Sequence, residues 1–173
     1  MTDSRSDLRI EPFSADHDRD GFSCGVDSLD RYLRTQASQD VRRKANGVFI
    51  LVESEANRTV LGYYTLCATG LQQGDVPAAA RKYVPRYPLV SATLIGRLAV
   101  SAARQGERLG GILLADAVQR AYASASTVGS SMLVVDAINE RAAAFYEGNG
   151  FVRLPDSMRL VLPMHVIEKM LKA

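Results

Sequence analysis

The chain has 173 residues, 47% of them hydrophobic, and a formal net charge of +2, a length that predicts one domain with a sizeable buried core. A polar N-terminal segment and the lack of any run of about 18 apolar residues argue against a signal peptide or membrane span, so we expect a cytoplasmic protein. The two cysteines, Cys24 and Cys67, lack metal-ligand spacing, which argues against a zinc site or redox pair and predicts no bound metal.

The first half of the chain predicts a helix, a hairpin and a loop. Apolar residues recur at helical spacing over residues 28–44, with Asp27 or Ser28 available as N-cap, and predict one amphipathic helix with its basic side chains on the other face. Two segments rich in β-formers, 48–52 and 60–67, predict a hairpin. Residues 69–90 contain three prolines and predict an irregular loop in which tyrosines interleave with arginines and a lysine.

The second half alternates strands and helices. A strand is predicted to end at Val100, and a helix with buried positions from Leu113 to Tyr122 follows a glycine-containing turn. A buried strand over 132–135, a helix over 139–148 and a hairpin formed by 151–152 and 159–162 complete the chain. This order predicts an α/β fold with a mixed, partly parallel sheet and helices on both faces.

The turn between the strand and the long helix has the layout of a phosphate cradle. Backbone N–H groups at a helix start lack intrahelical partners and lie at the positive end of the helix dipole, so a pyrophosphate can bind there. The glycine spacing fits neither the dinucleotide fingerprint GxGxxG nor the P-loop. A different pyrophosphate carrier is therefore indicated.

Two segments carry a resemblance to a known family. Gln105-Gly-Glu-Arg-Leu-Gly-Gly111 resembles the pyrophosphate-binding motif A turn of the GCN5-related N-acetyltransferases (GNAT), and Val134–Phe151, with its Phe-Tyr pair and Gly-Phe return, resembles motif B. Segments 22–33, 62–66 and 96–100 are similar to blocks of the GNAT toxins of bacterial toxin–antitoxin pairs. The resemblance covers residues 8–165. It implies a single GNAT domain over 1–173, whose mixed central sheet has splayed parallel strands and is flanked by helices.

The resemblance also implies a binding site for acetyl-coenzyme A. The residues it assigns to this site lie on the strand end, the turn, the helix start and motif B: Leu98, Ala99, Val100, Arg104, Gln105, Gly106, Arg108, Leu109, Gly110, Gly111, Asn139 and Phe145. Main-chain N–H groups around 98–100 are expected to meet the oxyanion. One position departs from the family, since most GNAT turns have glycine where this chain has Arg108. We expect the Arg108 guanidinium to contact a phosphate.

The chain shows no nucleophile arrangement, because neither His17 nor His165 lies in a recognisable catalytic pattern. Direct attack of an amine on the thioester requires only alignment, oxyanion stabilisation and a proton for the departing thiolate. The resemblance assigns that proton to Tyr146. A tyrosine with a pKa of about 10 is protonated at neutral pH. Because an α-amine has a pKa near 8, it needs no strong base, which favours an α-amino acceptor.

Charge is uneven along the chain. Residues 31–44 carry five basic side chains against one acidic one, and residues 81–108 carry six against one. Such basic stretches could form a surface that binds a polyanion, although ordinary solvent-exposed faces of the protein would have the same composition. Since the resembled toxins acetylate aminoacyl-tRNA and block translation, we assign tRNA contacts to six basic residues: Arg34, Arg42, Arg43, Lys44, Arg86 and Arg97.

The resemblance further implies a homodimer and neutralisation by a small ribbon-helix-helix antitoxin. Two other functions stay open at this stage. One is an acetyltransferase that acts on a small amine or a protein N-terminus, and the other is a non-catalytic acetyl-CoA-binding module. The sequence does not specify which tRNA or amino acid is used.

Overall fold

A computed structural model describes residues 7–173. The polar N-terminal segment noted in the sequence lies, as far as Ser6, outside the described residues. The strands are β1 (Arg9–Pro12), β2 (Gly47–Val52), β3 (Gly62–Gln72), β4 (Leu89–Val100), β5 (Met132–Asp136), β6 (Val152–Arg153) and β7 (Arg159–Pro163). The helices are α1 (Asp27–Thr35), α2 (Ala37–Arg42), α3 (Ala78–Arg81), α4 (Leu109–Val128), α5 (Glu140–Gly148) and α6 (Met164–Lys172).

The strands form a seven-stranded sheet in the order β1-β2-β3-β4-β5-β7-β6. β4 and β5 are parallel, whereas the β1–β2, β2–β3, β5–β7 and β6–β7 pairs are antiparallel. The predicted mixed, partly parallel sheet is therefore confirmed. The parallel ladder covers only Thr93–Ile95, and β4 continues beyond it to Val100.

By its internal contacts the chain divides into two compact units, and β3, β4 and α4 pass through both. The first unit comprises residues 7–66 and 97–117. Its core packs α1 against the sheet through buried residues that include Phe22, Tyr32, Leu33, Ile50 and Tyr63. This core fixes the end of β4 and the turn that follows it.

The second unit comprises residues 67–96 and 118–173. Its core is formed by small and branched residues of β4, β5 and β7 and of the segment after β3, among them Val90, Met132, Val134 and Val161. These residues belong to nearly continuous apolar runs, as expected for strands that are buried on both faces. The hairpin predicted around Pro155 and Asp156 is confirmed as β6 and β7.

Three predictions about the elements are wrong. The single helix predicted over 28–44 is two helices, α1 and α2, which are separated at Gln36 (φ −120°), and Val26 rather than Asp27 or Ser28 is the N-cap. In one straight helix, the Cα atoms of Tyr32 and Asp40, eight residues apart, would be separated by about 12 Å along the axis. The break brings the Tyr32 hydroxyl, as donor, within 2.9 Å of the Asp40 carboxylate.

The segment 69–90, predicted to be irregular, is partly regular, because β3 continues to Gln72, α3 covers Ala78–Arg81 and β4 begins at Leu89. Strand pairing extends both strands beyond what local composition predicts. β1 and α6 were not predicted from the sequence. β1 has a single apolar residue between charged neighbours, so no alternation of apolar and polar residues marks it as a strand. Its hydrogen-bonded pairing with β2 stabilises it.

Candidate functional site

The turn between β4 and α4 belongs to the first unit and is tied to the loop before α1. The Ala102 N–H donates to the Ser23 carbonyl (2.7 Å), and the Gln105 side-chain amide donates to the Cys24 carbonyl (3.2 Å). Gly106 has a φ of +87°, which glycine adopts without strain. Arg108 has a φ of +62°. Arg108 thus has a backbone conformation that glycine adopts more readily than an L-residue with a side chain.

The two arginines of this turn differ in their partners. Arg104 makes two hydrogen bonds to Glu107, at 2.7 and 3.1 Å, and lies 3.7 Å from a Glu53 oxygen. Its charge is therefore neutralised within the protein, and the sequence did not identify Glu107 as its partner. Arg108 is exposed and makes no ion pair or hydrogen bond with any residue from 7 to 173. Arg108 is the cation of this turn that remains available to a phosphate.

The main-chain N–H groups in the first turn of α4 are accessible from solvent beside Gly111. Leu109 is buried and anchors the helix start, while Gly111 is exposed. A Cβ added at Gly111 would meet no atom within 4 Å, so a ligand could approach the main chain there. The geometry of Gly106, Arg108 and Gly111 fits the predicted pyrophosphate cradle.

The end of β4 presents main-chain groups on two opposite edges. The Ser101 N–H donates to the Leu61 carbonyl (2.8 Å), and a Cβ at Gly62 would lie 2.8 Å from the Ala99 carbonyl oxygen, so Ala99 and Ser101 face β3. By the alternation of an extended strand, the Val100 N–H faces the other edge. By the same alternation the Leu98 N–H faces this other edge too, so the geometry leaves Leu98 and Val100, and not Ala99, as donors of the predicted oxyanion region.

Tyr146 lies on α5 in the second unit and is only 6% exposed. Its ring makes edge contacts with Phe145 (5.2 Å between centroids) and Phe151 (5.5 Å). Burial raises the pKa of Tyr146 to about 12, because the charged phenolate is poorly solvated there. Its hydroxyl makes no hydrogen bond to any described residue. Tyr146 is therefore a neutral phenol whose proton is not engaged by any residue from 7 to 173.

Asn139 is the N-cap of α5, and its side-chain oxygen accepts a hydrogen bond from the Ala142 N–H (2.8 Å). This contact leaves the side-chain NH₂ group as the part that could reach a ligand. Phe145 is half-buried beside Tyr146. The roles of Asn139 and Phe145 in binding a coenzyme stay predictions.

The predicted nucleic-acid residues occupy different environments. Four are exposed in the first unit, near the ends of α1 and α2: Arg34, Arg42, Arg43 and Lys44. Arg97, in the same unit, is half-buried, with its guanidinium carbon 3.5 Å from the centre of the Tyr32 ring. Arg86 is exposed in the second unit beside Arg81 and Lys82. The sequence missed Tyr32 as the ring on which Arg97 stacks, and Asp40 as the carboxylate that accepts from the Tyr32 hydroxyl, because these groups meet only in the folded chain.

Within residues 7–173, no three His, Cys, Asp or Glu side chains are grouped as a metal site. Across the same residues, no helix has both the length and the apolar character needed to cross a membrane.

Comparison with known proteins identifies the family. Residues 15–151 match the acetyltransferase (GNAT) family. The chain is 33% identical over 144 residues to a tRNA-acetylating toxin of Mycobacterium tuberculosis (strain ATCC 25618 / H37Rv), a match that covers 83% of this chain and 84% of that protein. This chain belongs to the GNAT acetyltransferase family, as its motifs predicted.

Solved structures agree with this assignment. AtaT complexed with acetyl-methionyl-tRNAfMet has a TM-score of 0.87 and 33% identity, with 95% of this chain and 99% of that chain covered. A tyrosine-to-phenylalanine mutant of AtaT, bound to the C-terminus of the antitoxin AtaR and to acetyl-CoA, has a TM-score of 0.83 and 30% identity, with coverages of 96% and 99%. The GNAT fold and the resemblance to the toxins of this family are confirmed.

Proposed function

We propose that this chain is an acetyl-CoA-dependent toxin that acetylates the α-amine of aminoacyl-tRNA and so blocks translation. The observation that carries the proposal is its similarity, over 95% of its length, to AtaT in complex with acetyl-methionyl-tRNAfMet. The similarity to the tRNA-acetylating toxin of M. tuberculosis supports the same substrate. The phosphate turn supports acetyl-CoA as the donor.

Each part of the site has a role in this proposal. The N–H groups at the start of α4 and the Arg108 guanidinium hold the pyrophosphate, with Gly106 and Gly111 giving close access to the main chain. The Val100 N–H donates to the carbonyl oxygen as negative charge develops on it. Tyr146 protonates the departing sulfur. No protein base is required, because about a tenth of an α-amine with a pKa near 8 is unprotonated at neutral pH.

The raised pKa of Tyr146 has a consequence for the pH dependence of the reaction. A phenol donates only while it is protonated, and a pKa of about 12 keeps Tyr146 protonated well above neutral pH. We therefore attribute no loss of rate between pH 7 and about 10 to this residue.

The exposed arginines and Lys44 at the ends of α1 and α2 contact the tRNA backbone in this proposal. Arg97 has a different part, because stacking on Tyr32 holds it in one position on β4. A homodimer and an antitoxin of the ribbon-helix-helix kind complete the proposal. AtaT is itself found bound to the antitoxin AtaR.

Incubation of the purified protein with labelled acetyl-CoA and bulk charged tRNA tests the function directly. We expect label in the charged tRNA and none in deacylated tRNA. Tyr146→Phe should lower the rate by about 10²–10⁴-fold, since it removes only the proton donor, and should leave acetyl-CoA affinity unchanged. Label found only on small amines or protein N-termini would overturn the tRNA assignment. Acetyl-CoA binding without any transfer would indicate a non-catalytic module.

A further inference from the structure

Two adjoining pockets in the second unit share Lys82. One, of about 480 Å³, is lined by Gln73, Ala78, Arg81, Lys82 and Arg86. The other, of about 370 Å³, is lined by Lys82, Tyr83, His165 and Lys169. We call the surface formed by Arg81, Lys82, Tyr83, Arg86, His165 and Lys169 the α3–α6 groove. Its α6 side was not anticipated from the sequence, because that helix was not predicted.

The ring of Tyr83 organises the groove. His165 stacks on this ring with 5.3 Å between centroids and an interplanar angle of 26°. The Lys82 and Lys169 ammonium groups lie 5.0 and 5.6 Å from the ring centre, within range of cation–π attraction. Tyr83 therefore positions cationic groups from two separate elements.

The groove concentrates positive charge that no described carboxylate neutralises. Within residues 7–173, none of its arginines and lysines makes an ion pair with a carboxylate. Arg81 is oriented by a hydrogen bond to the Val76 carbonyl (2.9 Å). The nearest acidic residue in sequence, Glu168, is bonded to Lys172 and to the Tyr122 hydroxyl, each at 3.1 Å. Four such cations repel one another, so a bound anion would relieve an unfavourable interaction.

Other arginines of the second unit, unlike those of the groove, are paired with carboxylates. Arg153 pairs with Glu140 at 2.8 Å, and Arg159 pairs with Asp136 at 2.7 Å. Tyr87, which follows Arg86 in the sequence, is 65% exposed. Cations together with an exposed ring are the combination that contacts phosphates and bases of single-stranded nucleic acid.

We propose that the α3–α6 groove binds the phosphate backbone of the RNA substrate, with Lys82 and Lys169 as phosphate contacts and Tyr83 as their positioning residue. The inference rests on the proposed function and adds to it a tRNA-binding surface with residues of α6. RNA is favoured over an acidic protein segment, because pockets of this size fit nucleotides and the exposed Tyr87 ring suits a base.

Lys169→Glu and Lys172→Glu form a matched pair on α6, because they make the same charge change one turn apart. Lys169 lines the groove, whereas Lys172 pairs with Glu168. We expect Lys169→Glu, like Lys82→Glu, to lower affinity for charged tRNA about tenfold or more and to reduce the slope of log K against log salt by about one. Lys172→Glu should change the tRNA affinity and the salt slope much less. The affinity for acetyl-CoA should be the same in Lys82→Glu, Lys169→Glu and Lys172→Glu as in the wild type.

Tyr83 provides a second test that distinguishes positioning from folding. Tyr83→Phe keeps the ring and should bind tRNA like the wild type, whereas Tyr83→Leu should weaken binding several-fold at an unchanged melting temperature. Equal tRNA binding by Tyr83→Phe and Tyr83→Leu would contradict the positioning role.

The two proposals fail in different ways. If the wild type binds and acetylates charged tRNA while Lys169→Glu matches Lys172→Glu, the groove proposal is overturned and the function stands. If the wild type neither binds nor acetylates charged tRNA, the function itself is wrong. If the groove variants keep tRNA affinity but lose affinity for a labelled polyglutamate peptide, the groove is a site for acidic protein segments and the RNA proposal is overturned.

Discussion

Arg108 combines an unfavourable backbone conformation with an unpaired charge at the phosphate turn. A φ of +62° costs an L-residue roughly 1–2 kcal/mol relative to glycine. The side chain recovers none of this through ion pairs or hydrogen bonds with the described residues. In the proposed function its guanidinium contacts the pyrophosphate, so that binding of the ligand offsets a conformation that lowers stability.

Two substitutions separate the backbone effect of Arg108 from its charge. Arg108→Gly removes both the strain and the guanidinium, whereas Arg108→Ala removes only the guanidinium. In urea titrations we expect the free energy of unfolding of Arg108→Gly to be about 1 kcal/mol higher than that of Arg108→Ala. Calorimetry should show the same loss of acetyl-CoA affinity, about tenfold, in both. Unchanged affinity in both variants would exclude the phosphate contact.

At the level of elements, α5 connects local stability to the site. Its start depends on the Asn139 side chain, which accepts from the Ala142 N–H, and Tyr146 lies in its last turns. A helix of nine residues is marginal in isolation. The cap and the aromatic contacts of Phe145, Tyr146 and Phe151 therefore both contribute to holding the phenol in place.

Replacement of Asn139 tests whether it acts only as a cap. Asn139→Ala should lower the unfolding free energy by about 0.5–2 kcal/mol, because an N–H at the helix start loses its acceptor. Asn139→Ser keeps an uncharged N-cap acceptor and should retain stability while removing the NH₂ donor. If acetyl-CoA affinity in calorimetry falls for Asn139→Ser, the NH₂ group contacts the coenzyme, which would support the predicted role of Asn139. If it does not, Asn139 is a cap alone.

At the level of the whole molecule, long-range polar contacts make stability depend on pH. Glu11 on β1 accepts from Arg58 (2.6 Å) and lies 2.7 Å from Nε2 of the buried His17. Partial burial raises the pKa of Glu11, but the hydrogen bonds with His17 and Arg58 outweigh it and hold this pKa below its usual value of 4.5. The unfolded chain thus takes up this proton at a higher pH than the folded chain does.

Glu11→Gln should therefore lower the melting temperature by a few degrees at pH 7, where the carboxylate is fully charged. The difference from the wild type should shrink as pH falls below about 4.5 and through the lower folded-state pKa, because protonation then removes the same charge. Scanning calorimetry at several pH values measures this. Glu55→Gln is the control, since Glu55 is exposed and lies 3.6 Å from Arg9, and its effect should be small at every pH. A pH-independent deficit in Glu11→Gln would contradict the ionic explanation.

Several elements follow from local sequence alone. The turn, α4 with its buried Leu113 and Leu114, β5 and the closing hairpin have strong periodicity or turn residues, and the structure forms them close to the predicted bounds. α6 carried a usable signal, because Pro163 precedes apolar residues at helical spacing and lysines occupy its last turn. Recognition of that signal would have placed His165 and Lys169 on one helix.

The sequence by itself determined the family and the mixed α/β class, and it predicted the phosphate turn and Tyr146 as parts of the site, because each is encoded by contiguous residues whose spacing is set by one element. The tertiary structure alone decided which arginine is free, since Arg104 meets Glu107 while Arg108 meets no described partner. It also decided that α1 and α2 are separate helices, that Arg97 stacks on Tyr32, and that α3 and α6 share a groove. The stacking of Arg97 on Tyr32 and the groove between α3 and α6 depend on contacts between segments far apart in the sequence, and no local pattern contains the free energy of such contacts. The Arg104–Glu107 pair is local, but only the side-chain geometry of the turn shows that Glu107 bonds Arg104.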